Sequence, residues 1–219
     1  YLYLVCRLVI LAVMTLAIRA LSTGGIADAT PRGAPALLSV APAGGWSWFS
    51  DPRAVYRAGY LYYGYLRGSD GSVILAVWDH ATRSVVTTVN LHSALEVDDH
   101  DYPSILIRAS DSRLMAFYSK HLDTAIRYRV SVNPVTTDPT LSGGFAAEQT
   151  VSNLVAGSYT YTIPIQLSGE SEQPIRLFYR THVSGDPELH YSRTDDDGAT
   201  WAAGVRLHDL TYTKIAQTA

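Results

Sequence analysis

The sequence predicts an all-β chain whose strands group into the four-stranded blades of a β-propeller. Three observations carry that reading. Runs of four to eight apolar or aromatic residues alternate with turn clusters, no long stretch carries a 3.6-residue period, and a similar strand group recurs roughly every 50 residues. The 219 residues are 47% hydrophobic and 17% charged, so the chain can bury a core and is neither a disordered tail nor a coiled coil.

The first element is set apart from the fold. Arg7 is followed by the apolar run 8–18, and after a polar stretch comes the small-x-small triplet Ala27, Asp28, Ala29. That is the order of parts in a signal peptide, so residues 1–29 are expected to be a leader cleaved after Ala29, and the protein secreted or periplasmic. A membrane anchor is the alternative, but the run is short for a span and Arg19 interrupts it. The first residue is Tyr1, so the sequence is expected to be truncated at this end. Cys6, the only cysteine, falls in the leader, which leaves an exported domain without a disulfide and dependent on packing. Residues 30–45 are rich in Pro, Ala and Gly and read as a lead-in segment, with a partial propeller over 46–219.

Within that propeller the first group contains strands at 60–66, 73–78 and 85–89. The second contains strands at 104–108, 114–118 and 125–130, and the third at 163–167, 175–180 and 188–192. The stretches 114–118 and 175–179 hold equivalent places in their groups. A sandwich also gives many short strands, but it does not require a repeated pattern at a fixed interval. About three blades and the opening of a fourth, at 211–214, are expected. The stretch Thr194 to Trp201 fits Ser/Thr-x-Asp-x-Gly-x-Thr-Trp, in which Gly198 permits a tight turn, the Asp196 carboxylate accepts turn N–H bonds and Trp201 packs between sheets. Its three adjacent acids also suggest a structural calcium loop, although the full EF-hand spacing is absent.

Charge narrows the partner. Lys and Arg total 17 against 20 Asp and Glu, a net charge of −3, and no basic run occurs. This argues against nucleic acid and for a small molecule or glycan, bound by a monomer. The chemistry-bearing residues lie at strand ends, where propeller loops converge on one face. His100 enters the second blade beside Asp98 and Asp99, either of which can fix its tautomer, and His121 leaves the strand 114–118. For each the plainer alternative is a solvated histidine in a turn. Tyr161 and Arg180 hold similar places in the third group, Arg180 emerging where a bidentate carboxylate contact can form. Arg53 opens the first blade as a candidate substrate-binding residue, with Asp51 as its alternative partner.

Together, the stretch 45–49, Asp51-Pro52-Arg53, Asp98-Asp99-His100-x-x-Pro103, Tyr118-Ser119-x-His121, Thr160-Tyr161-x-x-Pro164, Phe178-Tyr179-Arg180 and the turn at 194–201 resemble the BNR-repeat family that includes the propeller-type ulvan lyases. The closing turn is similar to the Asp-box of sialidase-type propellers. The resemblance implies a seven-bladed propeller that cleaves an acidic polysaccharide by β-elimination; that chemistry needs no redox cofactor, and no metal-ligating residues are assigned. It implies that His100 and His121 are active-site histidines, that Tyr161 transfers a proton and that Arg180 contacts the uronate. Tyr161 or His100 would then take the C5 proton, and Tyr161 or His121 would protonate the departing O4. Asp101 departs from the pattern, standing where an Asn is common, and the chain ends at Ala219 as a fourth blade opens. A sialidase-like hydrolase with a Tyr nucleophile and an arginine cluster is the first rival, served by Arg53 and Arg180 but lacking a third arginine of similar context. A non-catalytic glycan-binding propeller is the second.

Overall fold

The computed structural model describes residues 39–41, 43–45, 53–184 and 186–208. The expected leader, the stretches 46–49 and 51–52, and the fourth-blade opening at 211–214 lie outside them. Twelve strands are described, in chain order β1 (Ala54–Arg57), β2 (Tyr60–Arg67), β3 (Ser72–Asp79), β4 (Ser84–His92), β5 (Ser104–Ile107), β6 (Leu114–Tyr118), β7 (Arg127–Val130), β8 (Gln149–Thr150), β9 (Ser158–Gln166), β10 (Ile175–Val183), β11 (Asp186–Thr194) and β12 (Val205–His208). They form three antiparallel meanders, β1 to β4, β5 to β8 and β9 to β12, which are the blades. The first strand β5 of the middle blade touches both β1 and β9, as the innermost strands of neighbouring propeller blades do. No helix among the described residues is long and apolar enough to cross a membrane.

Side-chain alternation explains why the blades stack. Every residue of β6 is buried. Leu114, Ala116 and Tyr118 point into a core shared with Tyr62, Val73, Leu75 and Val77 of the first blade. Met115 and Phe117 point the other way, into a core with Ile175, Leu177, Tyr179 and Trp201 of the third. A strand with both faces covered reads as a continuous apolar run, as does β3. By contrast, β10 alternates buried Ile175, Leu177 and Tyr179 with half-buried Arg176, Phe178 and Arg180, because only one of its faces is packed against a blade. The end of the lead-in is held on the first blade: Val40 and Ala41 pack beside Tyr63, Tyr65 and Ile74, and the Gly45 N–H donates to Leu66 O (2.8 Å).

The turn at 194–201 has the internal bonding its sequence predicts. Asp196 accepts from the Thr200 N–H (2.8 Å), the Thr200 hydroxyl (2.7 Å) and the Thr194 hydroxyl (2.7 Å). Gly198 adopts φ +97°, a conformation that favours glycine. Its carbonyl accepts from the Tyr128 hydroxyl (2.7 Å), and Trp201 packs edge-on against Phe117. The turn thus fastens the third blade to the second.

Strand order fixes which residues share an end. The starts of β1, β5 and β9 and the ends of β2, β6 and β10 lie at one end, here called upper, and the 194–201 turn lies at the other. At the lower end is a hollow of about 250 Å³ lined by Arg108, Arg113, Tyr128 and Asp196 among others, away from every candidate site residue.

The two faces of the third blade should respond differently to truncation. Leu177→Ala, in the buried core, is expected to lower the unfolding free energy by about 2–5 kcal/mol. Ile163→Ala, 44% exposed on the other face, should cost less than about 1 kcal/mol, both read from urea denaturation.

Candidate functional site

The site is built by a seam between the second and third blades. The chain leaving β6 turns through Lys120, His121 and Leu122 and is tied to β9 by reciprocal backbone bonds, Asp123 N–H to Tyr159 O (3.1 Å) and Tyr159 N–H to Asp123 O (2.7 Å). The Leu122 N–H also donates to the Thr160 hydroxyl (3.1 Å). The Asp123 carboxylate holds the turn closed, accepting from the Lys120 N–H (3.0 Å), the Thr124 N–H (2.7 Å) and the Arg127 guanidinium. Burial pushes its pKa up, but these donors hold it below the ordinary carboxylate value.

His100 arrives from the loop between β4 and β5. Asp98 Oδ1 accepts the His100 backbone N–H (2.9 Å) and lies 2.5 Å from its Nδ1, while Asp99 Oδ1 lies 2.8 Å from the same nitrogen. Two carboxylates at Nδ1 place the ring proton there and make Nε2 the basic nitrogen. Burial opposes the charge on Asp98, yet the bonds from His100 keep its carboxyl below the usual value. The rings of His100 and His121 stack with centroids 3.9 Å apart and planes within 4°. His121 Nδ1 lies 3.7 Å from Asp98 Oδ2. Burial lowers the His121 pKa, and His100 and Arg180 lower it further, so this imidazole is neutral at pH 7.

Tyr161 reaches the pair through a bulge. Phe178 pairs with Ile163 and Arg180 with Thr160, so Tyr161 and Thr162 together oppose Tyr179. Tyr161 takes φ +58°, a strained conformation for a bulky side chain. Its ring lies 5.2 Å from that of His100, and Arg180 Cζ sits 4.5 Å from its centroid, a cation–π contact. Burial raises the Tyr161 pKa although Arg180 opposes this, so the phenol keeps its proton at neutral pH.

His100, His121, Tyr161 and Arg180, far apart in sequence, therefore gather at one place. The Arg53 guanidinium, just before β1, donates to Tyr102 O (3.3 Å), just before β5, and to Thr162 O (3.1 Å), within β9. Sequence reasoning passed over Asp123 and Glu96, whose Oε2 accepts the His121 N–H (3.2 Å). A turn-forming Asp is the only signal Asp123 offers. Among the described residues, Asp98, His100 and His121 are also the group whose ligand atoms lie close enough together to hold a metal ion.

Behind the histidines lies Asp101, fully buried. Neither of its carboxylate oxygens meets a donor in hydrogen-bonding geometry. Burial pushes its pKa up to about 8, with Glu96 and Asp98 adding to the rise and the nearby His121 N–H opposing it. The folded state then keeps a proton that the unfolded chain loses near the ordinary carboxylate value. Asp101 therefore lowers stability progressively as pH rises through the interval up to about 8.

A family model described as "BNR repeat-containing family member" matches residues 60–214. Solved structures similar to the chain include the following two. One is the polysaccharide lyase Uly1, with TM-score 0.49 and 16% identity, covering 77% of this chain and 42% of that one. The other is the catalytic domain of a GH62 alpha-L-arabinofuranosidase from Coprinopsis cinerea, with TM-score 0.46 and 17% identity, covering 76% of this chain and 55% of that one. The chain spans less than half the length of the first and little more than half of the second. No curated protein matches.

Replacing the buried acid by its neutral isostere tests the account of Asp101. Asp101→Asn should be more stable than the parent by about 1–3 kcal/mol at pH 8 in chelator-containing buffer, the difference shrinking as pH is lowered toward 4, as read from thermal unfolding.

Proposed function

We propose that the chain, which belongs to the BNR repeat-containing family, carries the catalytic end of a secreted polysaccharide lyase that cleaves a uronate-containing, ulvan-like polymer by β-elimination. The observation that supports this reading is the gathering of two imidazoles, a phenol and a guanidinium at the upper ends of the second and third blades. The signal peptide over 1–29, the domain beginning at 46 and the monomeric state belong to the same proposal.

The C5 proton of a glycosyl uronate is weakly acidic because its removal builds a second negative charge beside the carboxylate. Arg180 offsets that charge in two steps, pairing with the carboxylate on binding and stabilising the enolate as it forms. The neutral His121 adds a hydrogen bond to the same group. His100, its Nδ1–H held by Asp98 and Asp99, takes the C5 proton on Nε2. The C5–H electron pair becomes the C4=C5 bond as the C4–O4 bond breaks. Tyr161, whose burial preserves its proton, donates that proton to the departing O4. Return of the proton from His100 to Tyr161 through solvent resets the site.

Digestion of a uronate polymer such as ulvan is expected to raise ultraviolet absorbance through the new double bond. New reducing ends without that absorbance would instead indicate hydrolysis, and binding without cleavage a glycan-binding module; either outcome sinks the lyase reading. His100→Ala and Tyr161→Phe should each lower turnover by about 10²–10⁴-fold with thermal stability preserved. Arg180→Lys, which keeps the charge and loses the planar fork, should weaken both turnover and substrate binding.

A further inference from the structure

Asp98 does more than orient one imidazole. Its Oδ1 lies 2.5 Å from His100 Nδ1, and its Oδ2 lies 3.7 Å from His121 Nδ1, so a single carboxylate faces two ring nitrogens on its two oxygens. Both Nδ1 atoms lie near this carboxylate on the two parallel stacked rings, and the ligand atoms of the three residues lie within 4.8 Å of one another. All three side chains are half-buried, reachable from solvent and still supported by the fold. Asp99 Oδ1, 2.8 Å from His100 Nδ1, adds a second carboxylate beside the cluster.

We propose that Asp98, His100 and His121 form a binding site for a borderline divalent transition-metal cation such as Zn²⁺, held by one carboxylate oxygen and two Nδ1 atoms with one position open to solvent or an anionic ligand. The donor set decides the class of ion. Two imidazole nitrogens and one carboxylate suit zinc, nickel or copper, whereas calcium and magnesium take six or more oxygens. Zinc holds nitrogen and carboxylate oxygen at about 2.0–2.2 Å, so closing the cluster on the ion requires side-chain shifts on the order of an ångström. His100 and His121 both sit in loops between strands, where such shifts leave the sheets intact.

A consequence follows that rests on the lyase reading. The cation occupies the nitrogens and carboxylate that orient the His100 base and pulls the stacked pair toward itself. Zinc would therefore regulate the same site as an inhibitor that chelation relieves.

Calorimetric titration of ZnCl₂ into the full chain, first freed of metal with chelator and dialysed, is expected to give one site per chain with low-micromolar or tighter affinity, and CaCl₂ no comparable binding. Asp98→Asn and His121→Ala should each weaken zinc at least about tenfold. His80→Ala, in the exposed turn after β3, should leave the affinity unchanged. The unaltered chain supplies a second readout: Co²⁺ should give a visible absorption band that Zn²⁺ displaces. Absence of zinc binding, zinc binding without the cobalt band, or equal affinity in both ligand variants overturns the proposal. Elimination assayed in chelator reports on the lyase reading separately, so failure of either is recognisable without the other.

Discussion

Two backbone hydrogen bonds between Asp123 and Tyr159 decide where the candidate site can stand, because they join the turn carrying His121 to the start of the strand carrying Tyr161. The bonds sit at the seam of two blades whose cores are already locked by Phe117, Leu177 and Tyr179, so they act on a rigid base. The Asp123 carboxylate closes the turn with three donors, and Leu122, at φ +54°, redirects the chain into the bridge. With that turn fixed, His121 supports the His100 ring by stacking, and the β4–β5 loop needs only the Asp98 bonds to complete the pair. Preorganisation of this kind lets a proton-transfer group act without reorganising during the reaction.

The same region holds features that cost stability. Tyr161 occupies the left-handed region at a bulge, and Asp101 is buried with no donor in hydrogen-bonding geometry at its oxygens. Each alone costs on the order of 1–3 kcal/mol. The cores on both faces of β6 offset such terms, and the local unfavourable choices fall at the upper end beside the four converging side chains. The bulge has a direct structural effect, since a regular strand would alternate its side chains without interruption and would not re-aim the phenol toward His100.

How much of this was legible in the sequence follows from the range of the forces involved. β2, β3, β6 and β10 were read nearly to their ends because alternation and apolar runs are local signals. β1, β8 and β12 carry no such pattern and were not expected as strands, since each is two to four residues with mostly polar or exposed side chains. β9 begins at Ser158, five residues earlier than expected, because its start mixes a core Tyr159 with hydroxyl side chains buried by pairing, Ser104 and Thr162 meeting at 2.8 Å. The four site residues were singled out from residue type, strand-end position and a family resemblance, and their convergence is a tertiary fact. Nothing local in Asp101 announces its burial, and nothing in Arg53 announces that carbonyls of two other blades claim its guanidinium.

Charge balance links the two uses argued for the cluster. An anionic sugar approaching Asp98 and Asp99 would be repelled unless their charge were already engaged, and it is engaged at His100 Nδ1. That leaves Arg180 as the cation presented beside Tyr161, with the phenol neutral and His121 neutral. The arrangement that makes Nε2 of His100 basic is a carboxylate drawing on Nδ1–H, and a divalent cation offers the same carboxylate a stronger partner. A proton at Nδ1 keeps the imidazole oriented for acid–base chemistry, whereas a metal ion displaces that proton and takes the lone pair as a ligand. Proton and metal thus compete for one position, and the outcome is set by how much zinc the protein meets rather than by any change of fold.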